Sequence, residues 1–226
     1  MAGLSRDSDC NCITLFPEAG ISYFYLKNMT SYATEIEEIK ALLPVYRELL
    51  NPGASAEETD GFLNATGLEI PPSFIALYKA CNGGAPYESV DIEGMTFFSL
   101  EQVLRTKKTF DDIMEEKHRE GRFFYWHADW LPFFDDFSYD TLCIDTSGKG
   151  TGLKGCVLQR SKDLFEGDEM SVMAPDFDTF VRGWLKRVKA GEVYSLSEKD
   201  KDGKNKWLSD NDCCYEPIAQ VPLRHS

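Results

Sequence analysis

The chain has 226 residues, 42% apolar, 13% aromatic and 27% charged, the profile of a soluble globular protein with room for a large core. This excludes a disordered chain, a collagen-like repeat and a small disulfide scaffold. With 24 basic residues against 38 acidic ones, the net charge of −14 repels nucleic-acid phosphates and anionic lipid, and suits either plain solubility or a basic protein partner.

Residues 1–30 read as an extension, in which the aromatic, β-prone run 21–26 predicts an added strand or an arm. A helix is expected from Ser31, with Ile36, Ile39, Leu42 and Leu43 on its apolar side, Glu35, Glu37 and Glu38 in its early turns, and a break at Pro44. Asn51-Pro52-Gly53 is a stop. Ser55-Ala56-Glu57-Glu58 opens a second helix, which carries Phe62 and Leu63 and is closed by Gly67. Pro71-Pro72 starts a third helix over 74–81, and Asn82-Gly83-Gly84 predicts a left-handed cap at its end.

Beyond Gly84 the period changes. Short strands are expected at 87–91 and 94–98, then a helix from Ser99 to about Lys108 followed by an acidic segment to His118. Residues 123–127 read as a strand. Trp130-Leu131-Pro132-Phe133-Phe134 leads into a polar turn at Asp135-Asp136, and a strand follows over 139–145. The Gly-rich stretch 146–155 predicts a flexible hairpin loop returning through Cys156-Val157-Leu158-Gln159. The strongest helical stripe is Phe177, Phe180, Val181, Trp184, Leu185 and Val188, stopped by Gly191. Residues 196–226 read as a charged linker and peripheral segment.

Helices, then mostly antiparallel strands, then a helix predict an α+β fold: a mixed central sheet with flanking helices over 31–195. No secretory signal or membrane span is expected. The seven cysteines lack framework spacing, and Cys81, Cys143 and Cys156 fall in apolar runs as small core residues, which favours a reducing cytoplasm. In that compartment the N-x-T sequons at Asn28 and Asn64 carry no meaning.

Three blocks resemble the SMI1/KNR4 family of the SUKH superfamily. The first is the proline-started helix 68–84 with its Asn82-Gly83-Gly84 turn. The second is Trp130-x-Pro132 with Asp135-Asp136 and the strand to Asp145. The third is the return strand Gly155-Cys156-Val157-Leu158, with a helix after Ala174-Pro175-Asp176-Phe177. Phe137-Ser138 stands where the family's turn usually has a glycine. The resemblance, spanning about 31–195, implies the mixed α+β fold and a non-catalytic binding role without cofactors. In bacteria that role is often an immunity protein neutralising a cognate toxin. In fungi and other eukaryotes it is a regulatory adaptor.

Tests for chemistry give little. Gly148-Lys149-Gly150-Thr151-Gly152 lacks the P-loop pattern and has strands on both sides, so a hairpin loop is favoured over a phosphate site. His127-x-Asp129 is completed by no second metal-ligand motif, and no Gly-x-Ser-x-Gly elbow is present. The remaining signal is a clustering of acids: 111–140 holds nine acidic residues against three basic ones, interleaved with aromatics. Rings supply buried area and carboxylates supply steering, so Asp111, Asp112, Glu115, Glu116, Asp135, Asp136 and Tyr139 are the candidate contacts for a basic toxin domain. The competing reading makes the rings core and the acids a solvated rim. On the first reading, Asp135 and Asp136 stand exposed at a turn.

Overall fold

The computed structural model describes residues 31–44, 46–84, 95–122, 124–135, 140–161, 169–190, 195–199, 205–208 and 218–222. The expected arm at 21–26, the strand at 87–91, Phe123, Asp136, Phe137-Ser138, Tyr139 and Gly191 lie outside the described residues.

Four helices come first: α1 (Ala33–Leu42), α2 (Tyr46–Leu49), α3 (Ala56–Thr66) and α4 (Pro72–Ala80). Pro44 separates α1 from α2, as a residue without an amide hydrogen should. Ser55 and Glu58 form a reciprocal capping box on α3, and Gly67 closes it with a left-handed φ of 59°. Then follow β1 (Thr96–Phe97), α5 (Leu100–Arg119), β2 (Trp130–Asp135), β3 (Asp140–Asp145), β4 (Val157–Ser161), β5 (Glu169–Ala174) and α6 (Phe177–Ala190). The described chain ends with β6 (Ser195–Lys199), β7 (Asn205–Leu208) and β8 (Ala219–Pro222). The main sheet runs β1-β2-β3-β4-β5-β8, antiparallel throughout, and β6 pairs β7 separately.

Helices α1, α4 and α6 cover one face of the sheet. Phe74 of α4 lies 4.4 Å from Tyr78 and 5.3 Å from Phe177 between ring centroids, and Phe133 lies 5.1 Å from Phe177. All six residues of the α6 stripe are buried here. Tyr32 locks α1 to α6 by donating its hydroxyl to Asp178 at 2.5 Å, and burial, reinforced by that carboxylate, raises its pKa. The other face carries Trp130, Cys143, Leu158 and Met170, beneath Tyr125, Trp126, Phe124 and the Phe110 and Met114 side chains of α5.

Five readings need correction. First, α4 has no left-handed cap, since Cys81 is extended with φ of −154°. The Asn82-Gly83 turn serves α5 instead: the Leu100 amide donates to Asn82 Oδ1 at 2.9 Å, and Gly83 (φ 73°) lies against the backbone of Phe98 and Ser99. A Cβ on Gly83 would stand 2.3 Å from the Ser99 nitrogen, so Gly83→Ala is expected to cost about 2–3 kcal/mol in urea unfolding.

Second, α5 extends far past Lys108, to Arg119. The supposed acidic segment is helical because Lys107–Asp111 and Lys108–Asp112 pair at i,i+4 and the closing turn carries Lys117, His118 and Arg119. Third, 124–127 is not a strand. Fourth, Trp130–Asp135 is itself a strand rather than the approach to a turn. Its residues do not alternate because both faces of the sheet are covered, and a register shift between Pro132 and Phe134 places Phe133 and Phe134 together in the first core. Fifth, the C-terminal segment read as peripheral supplies β8, the sheet's outer strand beside β5.

Candidate functional site

On α5, Lys107 lies on the stripe that faces the second layer, in line with Phe110 and Met114. Its ammonium is buried and donates to Asp111 Oδ2 at 2.8 Å and to the Ala128 carbonyl at 2.6 Å. The other oxygen of Asp111 accepts from Trp126 Nε1 at 2.7 Å. Asp111 is therefore a clamp between α5 and the segment 124–129, with its carboxylate occupied from within.

Beside it, the guanidinium of Arg160 on β4 sits between two rings, 4.9 Å from the centroid of Phe110 and 4.8 Å from that of Phe124. Its Nε donates to the Tyr125 carbonyl at 3.1 Å, and burial pulls its pKa below the ordinary value. Across the sheet, Arg160 pairs with Thr141 and Thr141 with Asp135. The Thr141 hydroxyl donates to Asp135 Oδ2 at 2.6 Å. Asp135 thus ends a strand, half-buried, in a row with a buried cation, and is not presented at an exposed turn.

The β3–β4 loop is anchored rather than flexible. Asp145, fully buried, accepts from the Gly148 amide at 2.7 Å and from the amide and hydroxyl of Thr151, both at 2.9 Å. The Lys149 amide donates to Ser147 Oγ and the Gly152 amide to the Gly148 carbonyl. These loop amides are occupied, which is the opposite of a phosphate cradle. Cys156 lies 3.4 Å from the Thr151 hydroxyl, and burial pushes its thiol up to about 11.

Next to this loop, Asp129 Oδ2 lies 2.9 Å from the Lys149 ammonium and 3.8 Å from His127 Nδ1. The Lys149 ammonium beside it holds the Asp129 carboxyl below the usual carboxylate range. Because its folded pKa is depressed, Asp129 stabilises the fold above its unfolded value of about 3.9, and this is lost as pH falls through the folded value. Asp129→Asn is expected to flatten the decline in melting temperature below about pH 4, measured between pH 2.5 and 7.

The predicted contact residues are only partly brought together. Asp112 is exposed and binds Lys108 through both oxygens at 2.9 Å, and Glu115 and Glu116 follow on the exposed side of α5. Asp111 and Asp135 belong to the interior networks. Of the interleaved aromatics, Tyr125, Trp126, Trp130, Phe133 and Phe134 are buried, as the competing reading had it. The local acid excess is also offset: α5 carries five acids (Glu101, Asp111, Asp112, Glu115, Glu116) and five bases (Arg105, Lys107, Lys108, Lys117, Arg119). Sequence reasoning missed the buried cations. Lys107 had one signal, its place at i−3 from Phe110 and i−7 from Met114. Arg160 had none.

Among the described residues, no helix is long and apolar enough to cross a membrane, and no group of three or more His, Cys, Asp or Glu is placed to hold a metal ion. No curated protein matches the chain. Residues 53–183, more than half of the chain, match the SMI1 / KNR4 family (SUKH-1), a span that holds the first two resembling blocks and the third as far as the middle of α6. With its antiparallel sheet, its flanking helices and this match, the chain belongs to the SMI1/KNR4 family, whose members include protein-binding, immunity and adaptor proteins.

Proposed function

We propose that this chain is a non-catalytic cytoplasmic immunity protein that neutralises a basic toxin domain by direct, stoichiometric binding. The observation that carries the reading is where the polar chemistry goes. Asp145, Thr151, Asp129, Lys149, Arg160, Lys107 and Asp111 bond one another or the backbone and hold the fold, whereas Asp112, Glu115 and Glu116 stand exposed on α5. The family match and the net charge of −14 support the same reading, since surplus carboxylates speed encounter with a basic partner and disfavour nucleic acid.

The test is co-expression with the toxin encoded beside the gene. Growth is expected to be restored and the two chains to co-purify at one to one. An Asp112→Asn/Glu115→Gln/Glu116→Gln variant is expected to fold normally and to associate several-fold more slowly at low salt. Absence of a neighbouring toxin gene, together with a stable non-toxin partner in pulldowns, would move the assignment to a regulatory adaptor.

A further inference from the structure

A cleft of about 630 Å³ opens between α3 and the start of α5, away from the acidic half of that helix. Its floor is apolar, from Phe62, Leu100 and Leu104, and Glu58 and Glu101 lie on its border. Among the described residues, no lysine or arginine lines it.

Its walls are fixed in advance. The Asn51 side chain donates to the carbonyls of Asn82 and Gly84 at 2.9 and 2.8 Å, and the Asn82 amide donates to the Pro52 carbonyl at 3.0 Å. Gly53 permits this approach, because a Cβ there would lie 2.0 Å from the Lys79 carbonyl oxygen.

The hydrogen-bonding groups decide the sign of the occupant. Two helices begin here, and five of their early amides are taken. Those of Ser55 and Glu58 serve one capping box, those of Ser99 and Gln102 the other, and that of Leu100 binds Asn82. An anion would find no free helix-start donor of this set and would face two carboxylates. The Glu58 carboxyl is held below its ordinary value by the hydrogen bond from the Ser55 backbone, so it stays ionised at neutral pH.

Gly61 adds an independent observation. It lies mid-helix on α3, exposed, and a Cβ built on it meets nothing within 4 Å. Neither packing nor backbone strain calls for glycine there, and glycine lowers helix propensity relative to alanine. What the missing side chain does is leave the cleft wall open.

We infer that this cleft seats a lysine or arginine side chain of the protein partner, with its hydrocarbon stem on Phe62, Leu100 and Leu104 and its charged head near Glu58 and Glu101. Long basic side chains combine these two halves, an apolar stem and a cationic tip. The inference rests on the reading of the chain as a protein-binding module and names where a basic partner inserts.

The test titrates the full-length protein with an acetylated Gly-Arg-Gly-Arg-Gly amide peptide, followed by amide chemical shifts, with inorganic phosphate in parallel. Shifts are expected to concentrate at Gly61, Glu101 and Leu104, with phosphate moving none of them. Gly61→Leu fills the wall without changing charge and is expected to weaken the peptide at least tenfold. Glu101→Lys is expected to do the same and provides the test if Gly61→Leu folds poorly. Glu37→Gln/Glu38→Gln, exposed on α1 outside the cleft and equal in charge change to Glu101→Lys, is expected to alter affinity less than twofold. Equal weakening by the cleft and control variants, unchanged affinity in the cleft variants, or shifts with phosphate would overturn the inference. In the toxin co-expression assay, full protection by both wild type and Gly61→Leu would reject the cleft while leaving the binding reading intact. Failure of the wild type to protect would reject the toxin reading, and the peptide titration would still score the cleft.

Discussion

Replacing Trp130 by alanine is expected to cost about 3–5 kcal/mol and to lower the melting temperature by roughly 10 °C. Trp130 is fully buried on the second face of the sheet, 5.3 Å from the Tyr125 ring and 5.7 Å from the Trp126 ring, both edge-on. The β3–β4 loop closes over it so tightly that a Cβ on Gly150 would lie 2.7 Å from its Nε1. Truncation removes the contacts of an indole and leaves a cavity between the sheet, that loop and the Tyr125-Trp126 segment, where the surrounding backbone is held by hydrogen bonds and collapses little. Trp130→Phe should recover most of the loss, because Nε1 has no hydrogen-bond partner among the described residues that phenylalanine would forfeit. A loss below about 1 kcal/mol for the alanine variant would mean the ring does not organise this layer.

A comparable loss, about 3–5 kcal/mol, is expected for Asp145→Ala. One buried carboxylate satisfies the Gly148 amide and both donors of Thr151, so its removal strands donors that solvent reaches poorly. Asp145→Asn keeps one acceptor oxygen and should fall between the two. The effect has a second readout. Cys156 is buried beneath Thr151, with its thiol pushed up to about 11 by burial, so it should resist iodoacetamide at pH 8 in the wild type. Loosening the loop through Asp145→Ala should raise its labelling rate at least tenfold under native conditions, read by mass spectrometry. Unchanged labelling would show that the loop keeps its fold without the carboxylate.

The helices were largely legible in the sequence because their signals are local. Ser55 with Glu58, Pro72 at the start of α4 and the six-residue stripe of α6 each act within a few turns, and the structure uses them as read. The reading failed where tertiary context decides. Trp130–Asp135 shows no alternation because helices cover one face and α5 with 124–126 the other, and Pro132 argues against a central strand unless a register shift accommodates it. The length of α5 depended on ion pairs between Lys107, Lys108 and the acids one turn on, which a count beginning at Asp111 leaves out. The same omission made 111–140 look like a uniformly acidic surface. Two of its five described candidate contacts are turned inward, Asp111 to Lys107 and Trp126, and Asp135 to Thr141. The α3–α5 cleft was hidden for another reason. Its two capping boxes are visible in the sequence, but only the fold brings Asn51, Asn82, Glu58 and Glu101 to one opening.

The central claim is that this chain acts by occupying its partner rather than by turning anything over. The direct measurement is residual activity of the purified toxin domain as the chain is added in steps at concentrations well above the dissociation constant. The account predicts a linear fall to baseline with its break at one chain per toxin, and full recovery of toxin activity when high salt or denaturation releases the complex. Inactivation that continues at a ratio far below one, or that persists after the chain is removed, would contradict it.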